Sequence, residues 1–128
     1  DFLLPNYAQE ERAYFNKTGF FPIQHILVIK NDVLEKQPWV AMSMFDAWQA
    51  AKIECYRWLE RQRVHMTGLW YRSLWEEERA AASADPYRWG FKHSRAEVEK
   101  MLDYAFLQGL VTQKFQPEQM FHPSTLET

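Results

Sequence analysis

Two places in this chain hold residues that could do chemistry. The first is His25, set in the run Thr18-Gly19-Phe20-Phe21-Pro22-Ile23-Gln24-His25-Ile26-Leu27-Val28-Ile29-Lys30. An imidazole among apolar residues can serve as a general acid or base, because its charge state depends on the partners its surroundings supply. It can equally be a hydrogen-bonded histidine of the core. The second place is the group Tyr87, Arg88, Trp89, Lys92, His93 and Arg95, which follows the Asp85-Pro86 turn signal. Aromatics interleaved with cations suit an aromatic or anionic ligand, through cation–π contact and charge-assisted hydrogen bonds. They suit an ordinary exposed loop as well. Nothing matches a phosphate-binding glycine loop, a zinc site or a nucleophile elbow. His25, His65, His93 and His122 are far apart, and none has a second histidine or a cysteine three or four positions away. No metal site is expected from this spacing, although Asp and Glu ligands stay open. The lone cysteine, Cys55, excludes an internal disulfide and reads as a small buried hydrophobe ahead of a catalytic thiol.

The elements that must position these residues follow from apolar spacing and stop signals. The run holding His25 is nearly unbroken in apolar residues and rich in β-branched and aliphatic side chains. That argues a strand over about 21–30, buried on both faces. No second run of this kind occurs downstream, so the strand's neighbours are expected outside this chain. Its free edges are expected to pair with another copy. Before it, Asn6 is placed to cap a helix over about 7–17, with Gly19 at the left-handed position after its end. Pro38 reads as the first residue of the longest helix, to about His65. Its stripe is Ala41, Met44, Phe45, Trp48, Ala51, Cys55, Tyr56 and Leu59 at three-and-four spacing. Trp48 is thus expected in the core and Lys52 in solvent. A further helix spans about 69–82 and carries Leu69, Trp70, Leu74 and Trp75. Another spans 94–108. It is opened by the capping-box spacing Ser94-Arg95-Ala96-Glu97 and buries Val98, Met101, Leu102, Ala105 and Phe106. The segment thus reads as mainly α with one principal strand.

Composition bounds the rest. At 128 residues the chain is one domain's worth at most. A net charge of −2 leaves no basic stripe, so nucleic acid is not an expected partner. No stretch approaches the roughly 20 apolar residues of a membrane span. No signal-type h-region stands at Asp1, which leaves the compartment open.

Several blocks of the chain resemble a known family. They are Glu11-Arg12-Ala13-Tyr14, Thr18 to His25, Pro38-Trp39-Val40-Ala41, Asp85-Pro86-Tyr87-Arg88-Trp89-Gly90, Arg95, Gln108-Gly109-Leu110, Pro117 to Phe121 and Pro123-Ser124-Thr125-Leu126. In this order they resemble the C-terminal part of the 4,5-dihydroxyphthalate decarboxylase family. The family pattern has Met at the position of Gln24, and Trp-Pro-Tyr-Gly where this chain has Tyr87-Arg88-Trp89-Gly90. Both departures bear on the substrate more than on the fold. The resemblance implies an α/β full-length protein like the type II periplasmic solute-binding proteins, with two lobes around a cleft. The second lobe and most of the first would then lie upstream of Asp1, and this segment alone would be inactive. It implies loss of one carboxylate from a dihydroxyphthalate as carbon dioxide, with no cofactor. His25 would be the acid or a ligand hydrogen bond, and Gln24, Tyr87, Trp89 and Arg95 would bind substrate. The other class it leaves open is the substrate-binding component of an ABC transporter for an organic anion. A decarboxylase would be cytoplasmic and a solute-binding protein periplasmic.

Overall fold

The structure, a computed structural model, describes residues 3–61, 68–83, 85 and 87–128. They are mainly helical and fall into two compact units. One comprises the chain up to residue 28 with residues 95–117. The other comprises residues 29–94 and 118–128.

In the first unit, helix α1 spans Tyr7–Thr18, with Glu10 near its positive end and Lys17 in its last turn. Asn6 occupies the cap position, but its side chain does not cap. The amide donates instead to Glu10 Oε1 at 3.2 Å. The helix stops at Gly19, whose φ of 71° lets its N–H reach Phe15 O at 2.7 Å. The Thr18 hydroxyl donates to Tyr14 O at 2.8 Å and accepts from the Phe20 N–H at 3.1 Å.

The strand expected over 21–30 is not formed. The segment has no regular structure, and there is no strand among the described residues. A strand exists only as part of a ladder, and no ladder of backbone hydrogen bonds to this segment is formed among the described residues. Phe21, Ile26 and Leu27 are exposed, and Val28 is 84% exposed. One tie fixes the start of the segment: the Phe21 N–H donates to Glu97 Oε1 at 3.3 Å.

Glu97 lies on α5, Phe91–Leu107, which contributes residues from Arg95 onward to the first unit. There it buries Val98 and Leu102, four positions apart on one face, while Met101 and Phe106 are exposed. Pro117 is also fully buried. Lys114 Nζ returns to Asp103 Oδ1 at 2.6 Å.

The second unit is organised on α3, Val40–Leu59. Helix α2, Asn31–Lys36, and the 3-10 turn Pro123–Thr125 both pack against it. Pro38 lies in the turn before the helix and is not its first residue. Residues 62–65 of the expected span lie outside the described residues. The packed face of α3 is rotated from the expected stripe. It runs Ala41, Phe45, Gln49, Lys52, Tyr56, Leu59, at spacings of four, four, three, four and three. Lys52 is 7% exposed, while Trp48 is 49% exposed and Cys55 is exposed. Each of these three reverses the expectation. The apolar side chains of α3 are spread too widely to fix one face, and what decides is a counterion that accepts the lysine (below). Helix α4, Tyr71–Ala82, buries Trp75. Leu69 and Trp70 precede it and stay exposed.

α5 begins three residues earlier than the capping-box spacing predicts. Thr128 caps it: the Phe91 N–H donates to Thr128 Oγ1 at 3.0 Å and the Lys92 N–H to Thr128 O at 2.9 Å. Ser94 therefore sits within the first turn, and Glu97 is free to take the Phe21 N–H. Phe91 is buried against Phe121, their ring centres 5.1 Å apart. Gly90 makes the close approach possible. Its φ is 121°, and a Cβ there would lie 2.8 Å from the Thr128 carbonyl carbon. Among the described residues no helix is long and apolar enough to cross a membrane.

Gly90→Ala is expected to destabilise the second unit by about 1–3 kcal/mol, from a backbone conformation closed to L-residues and a clash with backbone. Gly19→Ala, with nothing within 4 Å of its added Cβ, is expected to cost only about 1–2 kcal/mol of left-handed strain. Urea denaturation of both variants followed by far-UV circular dichroism checks the order.

Candidate functional site

The described residues that gather polar and aromatic side chains most densely lie on α3 and on the loop after α4. Lys52 and Tyr56, one turn apart on the packed face of α3, reach the same loop. Lys52 Nζ donates to Asp85 Oδ2 and to the Tyr87 carbonyl, both at 2.8 Å. The Tyr56 hydroxyl donates to Asp85 Oδ1 at 2.9 Å and accepts from the Tyr87 N–H at 3.3 Å. Asp85 thus has both carboxylate oxygens engaged. A lysine so nearly removed from water requires such a partner, because an unpaired buried ammonium costs several kcal/mol.

Aromatic rings close around this pair. Lys52 Nζ stands 5.0 Å from the centre of the Trp89 ring. Trp89 meets Trp48 edge-on, with centres 6.2 Å apart. On the other side Tyr56 packs on Trp75 at 5.5 Å, and the Arg79 guanidinium lies 5.9 Å from the Trp75 ring and pairs with Glu60. The loop is also fixed at its start. Ser83 has a φ of 139°, and its hydroxyl donates to Asp85 O at 2.8 Å and accepts from the Asp85 N–H at 3.2 Å.

The ionisable groups respond to these surroundings. For Asp85, burial alone would push the carboxyl up. The hydrogen bonds from Lys52 and Tyr56, with the charge of Lys52, outweigh it and hold the carboxyl below its ordinary value of 3.8. Burial, then the hydrogen bond to Asp85, drives the Tyr56 phenol far up. Burial and the neighbouring Glu78 raise Tyr87. Tyr56 therefore stays a neutral hydrogen-bond donor at physiological pH.

The residues singled out from sequence are divided by the fold. Tyr87 and Trp89 belong to this cluster and keep exposed side chains. Pro86, the second half of the turn signal, lies outside the described residues, as does His65. Gln24 and His25 lie in the first unit, on the extended segment, and both are exposed. Arg95 is in the first unit too, exposed on α5, with its guanidinium 3.3 Å from Glu99. The Phe21–Glu97 hydrogen bond ties the beginning of the His25 segment to the same helix, two positions beyond Arg95. Burial pushes the Glu97 carboxyl up, partly offset by that N–H. Among the described residues no three His, Cys, Asp or Glu side chains come together to hold a metal ion.

Lys52, Tyr56 and Asp85 were not singled out as a site from sequence. The available signal was the Ala41-Phe45-Gln49-Lys52-Tyr56-Leu59 line, a helical face containing one cation, read together with an aspartate in a turn further along.

No known family profile matches this chain. It is similar to 4,5-dihydroxyphthalate decarboxylase of Comamonas testosteroni, at 23% identity over 116 residues. The match covers 90% of this chain and 35% of that relative. The chain thus spans about a third of the length of the curated relative it matches. The relationship is a distant one to a decarboxylase, and it carries no information on a solute-binding-protein fold.

Lys52→Ala is expected to destabilise the second unit by about 1.5–3 kcal/mol, the range for lost hydrogen bonds to charged groups. Water reaching the Asp85 side chain keeps the figure below that of a sealed ion pair. Trp48→Ala, losing mainly its edge contact with Trp89, is expected to cost only about 1 kcal/mol. Chemical denaturation of the two variants decides the order, and equal losses would mean the buried face is misassigned.

Acid should act through Asp85. Its carboxyl is depressed in the folded state, so its contribution is fully present above the unfolded value of about 3.9 and is lost as pH falls through the lower folded value. Urea midpoints followed by tryptophan fluorescence should therefore drop below about pH 4, and Asp85→Asn should flatten that part of the profile.

Proposed function

We propose that this chain serves in a decarboxylase that removes one carboxylate, as carbon dioxide, from a hydroxylated aromatic dicarboxylate of the 4,5-dihydroxyphthalate type. The observation that carries this reading is the distant similarity to 4,5-dihydroxyphthalate decarboxylase along 90% of the chain. The whole enzyme would be an α/β protein of two lobes, with the ligand between them. This segment would not turn over substrate by itself.

The chemistry needs little beyond placement and a proton. The ring hydroxyls push electron density onto the carbon that bears the departing carboxylate, so that once this carbon is protonated the carbon–carboxylate bond breaks and its electron pair restores the aromatic ring. A general acid delivers that proton, and the exchange of carbon dioxide for hydrogen is complete. His25 is the proposed acid; its exposure leaves it accessible to a ligand. Arg95 is proposed to hold the carboxylate that stays, preferably through two parallel hydrogen bonds. It already pairs with one carboxylate, that of Glu99. Gln24, Tyr87 and Trp89 are proposed to contact the ring and its hydroxyls. On this reading the protein is cytoplasmic.

Carbon dioxide release by the full-length protein on a panel of hydroxyphthalates tests the reading. His25→Gln is expected to slow turnover by roughly 10²–10⁴-fold, the range for loss of a general acid. If His25 only packs the segment, turnover per folded molecule would stay near wild type while stability fell. Tight binding of a hydroxyphthalate by the wild-type protein without any release would replace the enzyme reading with that of a solute receptor.

A further inference from the structure

The loop that carries Tyr87 and Trp89 is held from beneath by groups whose hydrogen bonds go to the loop itself. An ammonium has three N–H donors and no acceptor. Lys52 gives one to Asp85 Oδ2 and one to the Tyr87 carbonyl, and its head lies over the Trp89 ring. Tyr56 gives its only O–H to Asp85 Oδ1 and takes the Tyr87 N–H. Both backbone polar groups of Tyr87 are thus bound by side chains of α3. The side chains of Tyr87 and Trp89 nevertheless remain 44% and 38% exposed, and Arg88 between them is exposed. The left-handed backbone at Ser83, fixed by two hydrogen bonds to Asp85, adds a second constraint at the loop's entry. Strain of this kind persists only where the surroundings over-determine it.

We propose that Lys52 and Tyr56 are positioning residues, which lock the loop at Asp85 and Tyr87 against α3 so that Tyr87, Arg88 and Trp89 meet a planar aromatic carboxylate in one arrangement. The identity of the ligand rests on the function proposed above. The holding of the loop does not. Neither residue touches the ligand. Both act by removing the loop's alternatives, so that ordering costs are already met before binding. Lys52→Arg keeps the charge and the donors, though its planar fork fits the Asp85 and Tyr87 acceptors less well. Lys52→Met keeps much of the length and loses both hydrogen bonds.

The test uses the full-length protein, with 4,5-dihydroxyphthalate as the probe. Amide hydrogen exchange is read at Tyr87, Arg88 and Trp89, and affinity by calorimetry, with the folded fraction measured separately. In Lys52→Met the loop amides should exchange on the order of tenfold faster while those in the middle of α3 hold, and Kd should rise roughly ten- to a hundredfold, as for small misplacements of binding groups. Lys52→Arg should recover part of both. Tyr56→Phe should shift both in the same direction by less, and it carries the test if Lys52→Met does not fold. Unchanged loop exchange overturns the proposal, as does an unchanged Kd per folded molecule. A merely structural role would lower the folded fraction and leave Kd alone. Failure of the wild-type protein to bind any hydroxyphthalate would overturn the functional reading, and the exchange result would then decide by itself whether Lys52 holds the loop.

Discussion

A charged amine buried in a helix face is the constraint around which the second unit is arranged. Taking Lys52 out of water is costly, and the cost is offset only where acceptors and a counter-charge meet it at short range. Asp85 and the Tyr87 carbonyl do so at 2.8 Å. That requirement determines which side of α3 faces inward, since the wide apolar surface of the helix would allow several. It determines where the chain goes after α4, because the loop must bring a carboxylate and a carbonyl to one point. It also explains the company of aromatic rings. Trp89 meets the amine at cation–π distance beside these two acceptors, and Tyr56 satisfies the second oxygen of Asp85.

Polar ties have unusual weight in this chain because the described apolar core is small. Among the described residues, Ala41, Trp75 and Phe91 are the buried hydrophobes of the second unit, and Val98 and Leu102, with Pro117, those of the first. Several large side chains remain in water, from Phe21 to Val28 and again at Leu107 and Leu110. Where burial is modest, hydrogen bonds and ion pairs decide which of several loose packings is adopted. The capping of α5 by Thr128 acts in this way, closing a turn that apolar contacts alone would leave free.

Helices α1, α3, α4 and α5 were legible from residue spacing, as was the stop at Gly19, because those signals are local. Cap identity was less so. Asn6 and Ser94 are good capping residues by type, but a glutamate four positions on engaged one, and Thr128, far along the chain, took over the other's role. The apolar run around His25 has the composition of a buried strand and none of the ladder partners, and composition cannot supply partners. Trp48 and Lys52 were inverted for a related reason. Periodicity ranks side chains by hydrophobicity, whereas the fold ranked them by whether Asp85 was there to receive a cation. Tyr87 and Trp89 were recognised as residues that could bind, but the helix residues that hold them were invisible until the loop was placed.

The link between α3 and the loop joins residues 33 positions apart in sequence. Helices α3 and α4 can each begin to form from local contacts, on the microsecond scale of helix formation. The tie cannot. The chain between them must close first, and the entropy of closure is spent before any hydrogen bond rewards it. The placement of Asp85 and Tyr87 against α3 is therefore a late acquisition in folding. It also belongs to a contact of long sequence range, the kind that slows folding as contact order rises.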